Sequence, residues 1–177
     1  MENKILHTYF PEGELMHRAE NRLNLASAEN IRRAMRLGTV LEAPAISANT
    51  ELSLEVDLGQ HSRGIIPKEE AVLLSDGERF KEITVIGRVG KAVAFKVISE
   101  EKSDDGRPLF ILSRRAAQLE CKRNFVDCLE PGDVIDCKIT HTERYGAFCD
   151  VACGSARSQR RWSELLPDCS PQDSQAS

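Results

Sequence analysis

Long apolar runs are missing from this chain of 177 residues, and nothing in it approaches the roughly 18 consecutive apolar residues that a membrane-crossing helix requires. The opening residues, Met1-Glu2-Asn3-Lys4-Ile5-Leu6-His7, lack the basic region followed by an apolar stretch that marks a secretory signal, so a cytoplasmic location and no membrane partner are expected. Also missing is any C-x-x-C pair. The six cysteines (Cys121, Cys128, Cys137, Cys149, Cys153, Cys169) include only one close couple, Cys149 and Cys153, with no second couple to complete a tetrahedral metal site. Cytosolic thiols stay reduced, so neither zinc nor a disulfide framework is expected and the cysteines read as small packing residues. Positive charge is short as well: the net charge is -4. Because Lys and Arg contacts to phosphate provide most non-specific affinity for nucleic acid, bulk charge argues weakly against that partner. There is no Gly-rich phosphate loop, no H-E-x-x-H, no G-x-S-x-G, and no Ser or Cys beside a candidate base, so no catalytic residues, no cofactor and no enzyme activity are expected.

What is present changes period along the chain. Ser27 is placed to cap a helix whose apolar positions Ile31, Ala34 and Met35 recur at i, i+3 and i+4, ending near Gly38. Arg32, Arg33 and Arg36 fall on its other faces, after Arg18 and Arg22; they form either a solvated charged surface or a phosphate-contacting one. From Gly38 the period becomes two. Leu52, Leu54, Val56 and Leu58 alternate with Glu51, Ser53, Glu55 and Asp57, the pattern of a strand with one wet face. Residues 40–48 read as an earlier strand that accommodates Pro44 only at an edge or bulge. Gly59-Gln60-His61-Ser62 turns into Arg63-Gly64-Ile65-Ile66-Pro67. The connection 68–90 holds an acidic helical turn, the breaker Ser75-Asp76-Gly77 and a candidate extra strand at 83–86. Strand character resumes at 92–98, Ser103-Asp104-Asp105-Gly106 makes a hairpin turn, and 109–112 is the last strand. Five principal strands with a break after the third suit a small closed barrel. A connecting helix over 114–124 then leads to the turn Glu130-Pro131-Gly132-Asp133.

There the first pattern restarts. Gly38-Thr39-Val40-Leu41 is matched by Gly132-Asp133-Val134-Ile135, and Val56-Asp57-Leu58-Gly59 by Asp150-Val151 and Gly154, as two copies of one domain would be. The run Gly132-Asp133-Val134-Ile135 through Ile139-Thr140-His141-Thr142-Glu143-Arg144-Tyr145-Gly146-Ala147-Phe148-Cys149-Asp150-Val151 resembles the start of an S-one RNA-binding domain, the repeated OB fold of the largest small-subunit ribosomal protein. Val56-Asp57-Leu58-Gly59, Gly64-Ile65-Ile66-Pro67-Lys68-Glu69-Glu70, Gly90 with 93–97, and Leu112-Ser113-Arg114-Arg115 resemble its strands two to five. The resemblance spans about residues 37–154. It implies a mainly β chain: a five-stranded OB-fold barrel with N-terminal helices and an incomplete second OB repeat. The expected divisions are a helical segment over 1–37, the barrel over 38–119, a linker helix and turn over 120–130, a partial second domain over 131–154 and a disordered tail over 155–177.

Physical chemistry gives the second copy its candidate site. Tyr145 and Phe148 would offer ring faces to a base while Gly146 removes bulk between them, and base stacking on a ring is worth about 1–3 kcal/mol. His141 adds a polar or stacking contact; Lys138 and Arg144 can meet phosphate. The plainer reading makes Phe148 core and Tyr145 a half-exposed strand residue, since an odd spacing places them on opposite faces unless the glycine bends the strand. The first copy carries neither ring: Leu52 stands where the second has Tyr145, and Glu55, which would repel phosphate, where it has Phe148. Pro67 replaces a histidine common in the family. Its cations are Arg63, Lys68, Arg88, Lys91 and the adjacent pair Arg114 and Arg115, read either as RNA contacts or as solvated charges. After Gly154 the third strand of the family is absent; Arg157, Arg160, Arg161 and Trp162 form either a basic-aromatic patch or part of a truncated or out-of-frame end of a longer repeat protein. Two strands alone bury too little to be stable, so residues from about 131 onward are expected to be loose or packed on the first barrel. The expected function is binding of single-stranded RNA or mRNA in translation, with the small ribosomal subunit as a further partner; the alternative is a docking module with no RNA contact of its own.

Overall fold

The computed structural model describes residues 9–74, 77–130, 132–143 and 146–153, and the expected tail over 155–177 lies outside them. A 3-10 turn at Leu15–His17 precedes α1 (Ala19–Leu25) and α2 (Ala28–Leu37). The ends of α2 follow from its residues. Ser27 Oγ accepts the Asn30 N–H at 3.2 Å, and Gly38 adopts the left-handed conformation, φ 65°, that stops the helix. Ile31 and Ala34 are buried in the barrel core with Met35 packed against them, so this helix closes the core instead of lying beside it.

Five strands follow: β1 (Leu41–Ala48), β2 (Leu54–Val56), β3 (Arg63–Ile66), β4 (Ala92–Lys102) and β5 (Pro108–Ser113). They form a closed barrel in the order β1-β2-β3-β5-β4, antiparallel throughout except between β3 and β5. This mainly β arrangement with helices is consistent with an OB-type fold. Leu41, Ala43, Leu54, Val56, Ile66, Val93, Phe95, Phe110 and Leu112 fill the interior. On β4 the alternation is used twice: Val93, Phe95 and Val97 enter the barrel, while Ala94 joins a second buried cluster with Cys121 and Phe125 outside it. That cluster lies under α3 (Arg114–Asn124), which runs unbroken past position 119. Pro44 sits within β1 just before an irregularity between Ala45 and Ser47. Two residues earlier, where β2 does not reach, Asn21 takes the place of a strand: its amide exchanges hydrogen bonds with Glu42 N–H and C=O at 2.9 and 2.8 Å.

Two sequence expectations are corrected. The strand over 52–58 is only three residues long, because Leu52 has φ 62° and belongs to a turn in which Asn49 Oδ1 accepts the N–H groups of Glu51 and Ser53. The candidate strand at 83–86 is helical, over Glu82–Ile86, closed by the Gly87 N–H donating to Ile83 O at 2.9 Å. A closed barrel leaves no edge for an added strand, so the β-branched run closes its own hydrogen bonds locally.

Beyond α3, β6 (Lys138–Glu143) and β7 (Gly146–Asp150) form a separate two-stranded sheet. After β7 the chain returns to the barrel. Ala152 and Cys153 are buried in the cluster around Ala94, and the Cys153 N–H donates to Phe10 O at 2.8 Å. Among the described residues no helix is long and apolar enough to cross a membrane.

Candidate nucleic-acid interface

Among the described residues the helices pack chiefly on β1 and β4, which leaves the outer face of β2 and β3 open. By alternation that face carries Glu55, Arg63 and Ile65, continued on β5 by Leu109 and Ile111, which stand opposite Arg63 and Ile65. Arg63 is not a free cation there. Its guanidinium donates to Glu55 Oε1 at 3.3 Å and to Ser103 Oγ at 3.5 Å. The neighbouring hairpin turn is acidic, and Asp105, bound through its side chain and N–H contacts by Arg107, has its carboxyl pulled down to about 2 and stays ionised.

Of the remaining candidate cations of the first copy, Lys68, Arg88, Arg114 and Arg115 are similarly engaged. Lys68 Nζ lies 4.9 Å from the centre of the Phe80 ring. Arg115 donates to Glu70 Oε1 at 2.7 Å, while Ser113 Oγ, the cap of α3, also donates to the Glu70 carboxylate. Arg114 does not belong to an RNA surface at all: it is 1% exposed. Its Nε and one terminal nitrogen donate to the two Glu12 oxygens at 2.9 and 3.0 Å, and it reaches Ala71 O. A buried guanidinium in a bidentate pair has no face left for phosphate. The adjacent arginines at 114 and 115 therefore point into different environments, as consecutive residues of a helix must.

Of the site residues expected after α3, Tyr145 and Arg144 lie outside the described residues. The β6–β7 register sets His141 opposite Phe148, after an irregularity between Ile139 and His141. Lys138 is exposed, with Nζ donating to Glu12 O at 3.4 Å, so it spans from the hairpin to the N-terminal segment.

That segment was the feature sequence reasoning missed. Glu12 accepts from Ala94 N–H at 3.0 Å and from Arg88 at 2.8 Å besides the two Arg114 bonds, and its own N–H donates to Asp150 Oδ2 at 2.9 Å. Burial pushes the Glu12 carboxyl up, but the two guanidinium groups and the Ala94 N–H outweigh it and hold it below the ordinary range. Among the described residues no ion pair forms at Glu42, whose carboxylate accepts the Gly13 and Met16 N–H groups at 2.6 and 2.9 Å. Burial therefore prevails and raises its pKa. Asp150 is likewise raised, first by burial. No local pattern announces these contacts, since Glu12 and Arg114 are 102 positions apart.

No family model matches the chain, and no curated protein matches it. Among solved structures, the solution structure of GSP13 from Bacillus subtilis is similar at 21% identity and a TM-score of 0.36. The match covers 55% of this chain and 62% of that one, so the chain spans less than two thirds of that protein's length.

Proposed function

We propose that this chain is a non-catalytic, cytoplasmic RNA-binding protein of ribosomal S-one type, contacting single-stranded RNA during translation. The observation that carries the reading is the open β2–β3 face on a closed five-stranded barrel, the surface on which OB folds receive oligonucleotides. The β6–β7 hairpin adds support for a second copy, since it repeats the antiparallel pairing of β1 and β2 with an irregularity in its first strand. Phosphate contact would come from Lys138 and Arg144 and, in the first copy, from Arg63 once released from Glu55. Arg115 contributes only by leaving Glu70, and Arg114 has no part.

Docking on a protein, such as one of the small ribosomal subunit, is favoured by one observation. The open face pairs its arginine with a carboxylate and lays half-buried Ile65, Leu109 and Ile111 side by side, better suited to an apolar partner than to phosphate. Titration of labelled single-stranded RNA at low and high salt separates the two. RNA binding gives a saturable curve at low salt that weakens as salt rises; a docking module gives no saturable curve at low salt.

A further inference from the structure

Between the N-terminal segment, α1 and the start of β1 lies a cleft of about 460 Å³, within the range of small-ligand sites. Phe10 and Arg18 both line it, with the Arg18 guanidinium carbon 3.7 Å from the centre of the Phe10 ring. Arg18 is exposed, so one face of its plane rests on the ring and the other is open. Glu20 and Asn24 line the same cleft one turn apart on α1. Across from them Glu120 is neutralised by Lys96 and accepts the Tyr9 hydroxyl at 3.3 Å. Arg18 is balanced by Glu20 and Lys96 by Glu120, so the cleft has no surplus positive charge to attract phosphate. It offers instead a flat stacking surface next to the exposed Glu20 carboxylate and the Asn24 amide.

We propose that this cleft is a nucleobase pocket with a preference for guanine. The base stacks on the open face of Arg18, backed by Phe10, in the manner in which single-stranded bases use guanidinium planes. The two Glu20 oxygens accept the adjacent N1–H and N2–H donors of guanine, and the Asn24 amide donates to O6. Adenine and the pyrimidines present no such pair of donors. The pocket rests on the RNA-binding reading and names the base it selects, at a place remote from the β2–β3 face.

The test is an amide chemical-shift titration of the full chain with the four nucleoside 5′-monophosphates, beside a titration with single-stranded RNA of mixed sequence. Guanosine monophosphate is expected to move the amides of Phe10, Arg18, Glu20 and Asn24 at lower concentration than the other three. Arg18→Ala should weaken this about fivefold or more. Arg18→Lys keeps the charge but not the plane and should not restore it, while Glu20→Gln should abolish the preference among bases and leave stacking. These side chains lie on the surface, so the thermal midpoint should not change. Absence of shifts at those amides, or an undiminished response in Arg18→Ala, overturns the pocket. RNA that binds while leaving those amides still also overturns it and keeps the RNA reading. Guanosine monophosphate bound in the cleft with no RNA binding overturns the RNA reading and keeps the pocket.

Discussion

Arg114→Ala should cost this protein about 3 kcal/mol or more of stability, since removing one partner of a buried ion pair typically costs about 3–5 kcal/mol. The Glu12 side chain is 4% exposed and accepts four N–H bonds, two of them from Arg114. The substitution halves that set and leaves a buried carboxylate whose remaining ion pair among the described residues is with Arg88. Arg88 is 32% exposed on its side chain and compensates in part, which places the expected loss nearer the lower bound. For a folded unit of this size that corresponds to a fall in thermal midpoint of roughly 10 °C or more. Glu12→Gln added to Arg114→Ala should cost much less than it does alone, with a coupling of about 2 kcal/mol, because the neutral amide no longer needs the arginine. Denaturant unfolding followed by circular dichroism measures both. Amide exchange at Gly13 and Met16, whose N–H groups cap Glu42, should accelerate in the single variant as the N-terminal segment loosens. A loss below about 1 kcal/mol with unchanged exchange would refute the claim that this pair fastens the segment to the barrel.

Further consequences follow from the same geometry. Asp150 and Glu42 have pKa values raised mainly by burial, so the native state takes up protons before the unfolded chain does, and stability should rise as pH falls from neutral towards the ordinary carboxylate range. Glu100 is held down by the Arg32 hydrogen bond, and Glu12 and Glu70 by their arginines despite burial; the stability they contribute is lost below the ordinary carboxylate range. The thermal midpoint should therefore peak on the acid side of neutral, and a steady decline from neutral towards the ordinary carboxylate range would contradict this. Gly64→Ala should destabilise by about 1–3 kcal/mol, as an added Cβ would lie 2.8 Å from Leu58 Cδ1 and 2.9 Å from Leu112 Cδ1, both in the core. Alkylation with mass-spectrometric mapping should label exposed Cys128 and Cys137 quickly in the native protein and spare Cys121 and Cys153. The last two are buried, and the Cys153 thiol is pushed up by its contact with Cys121 and by burial; rapid labelling of both would mean that the segment after β7 is not docked.

Much of the barrel was legible because its signals are local. Ser27 and Gly38 bound α2 by capping chemistry, the hairpin turn at Ser103 to Gly106 stands between alternating strands, and the helix over 114–124 has the expected limits. The misreadings occurred where a side chain or the closed topology overrode periodicity. Asn49 captured the backbone around Leu52, and barrel closure left the β-branched residues at 83–86 no strand to pair with. Of the candidate site, Tyr145 and Arg144 lie outside the described residues, and the ladder fixes only that His141 and Phe148 stand opposite each other. Arg114 and Arg115 look alike as a basic pair in sequence; their helix phase sends one to Glu12 and the other to Glu70.

By itself, then, the sequence determined most of the barrel strands and the caps of α2, because hydrophobic period and turn chemistry act over a few residues. Tertiary structure alone decided which charges are available. Glu12, Arg88, Arg114 and Asp150 come from four distant stretches, and only folding brings them within hydrogen-bond reach, where burial makes pairing obligatory and withdraws Arg114 from any RNA surface. The Phe10–Arg18 stack beside the cleft is likewise a product of how the N-terminal segment is fastened, since the ring and the guanidinium meet only once Glu12 and Glu42 have set the course of the chain between them.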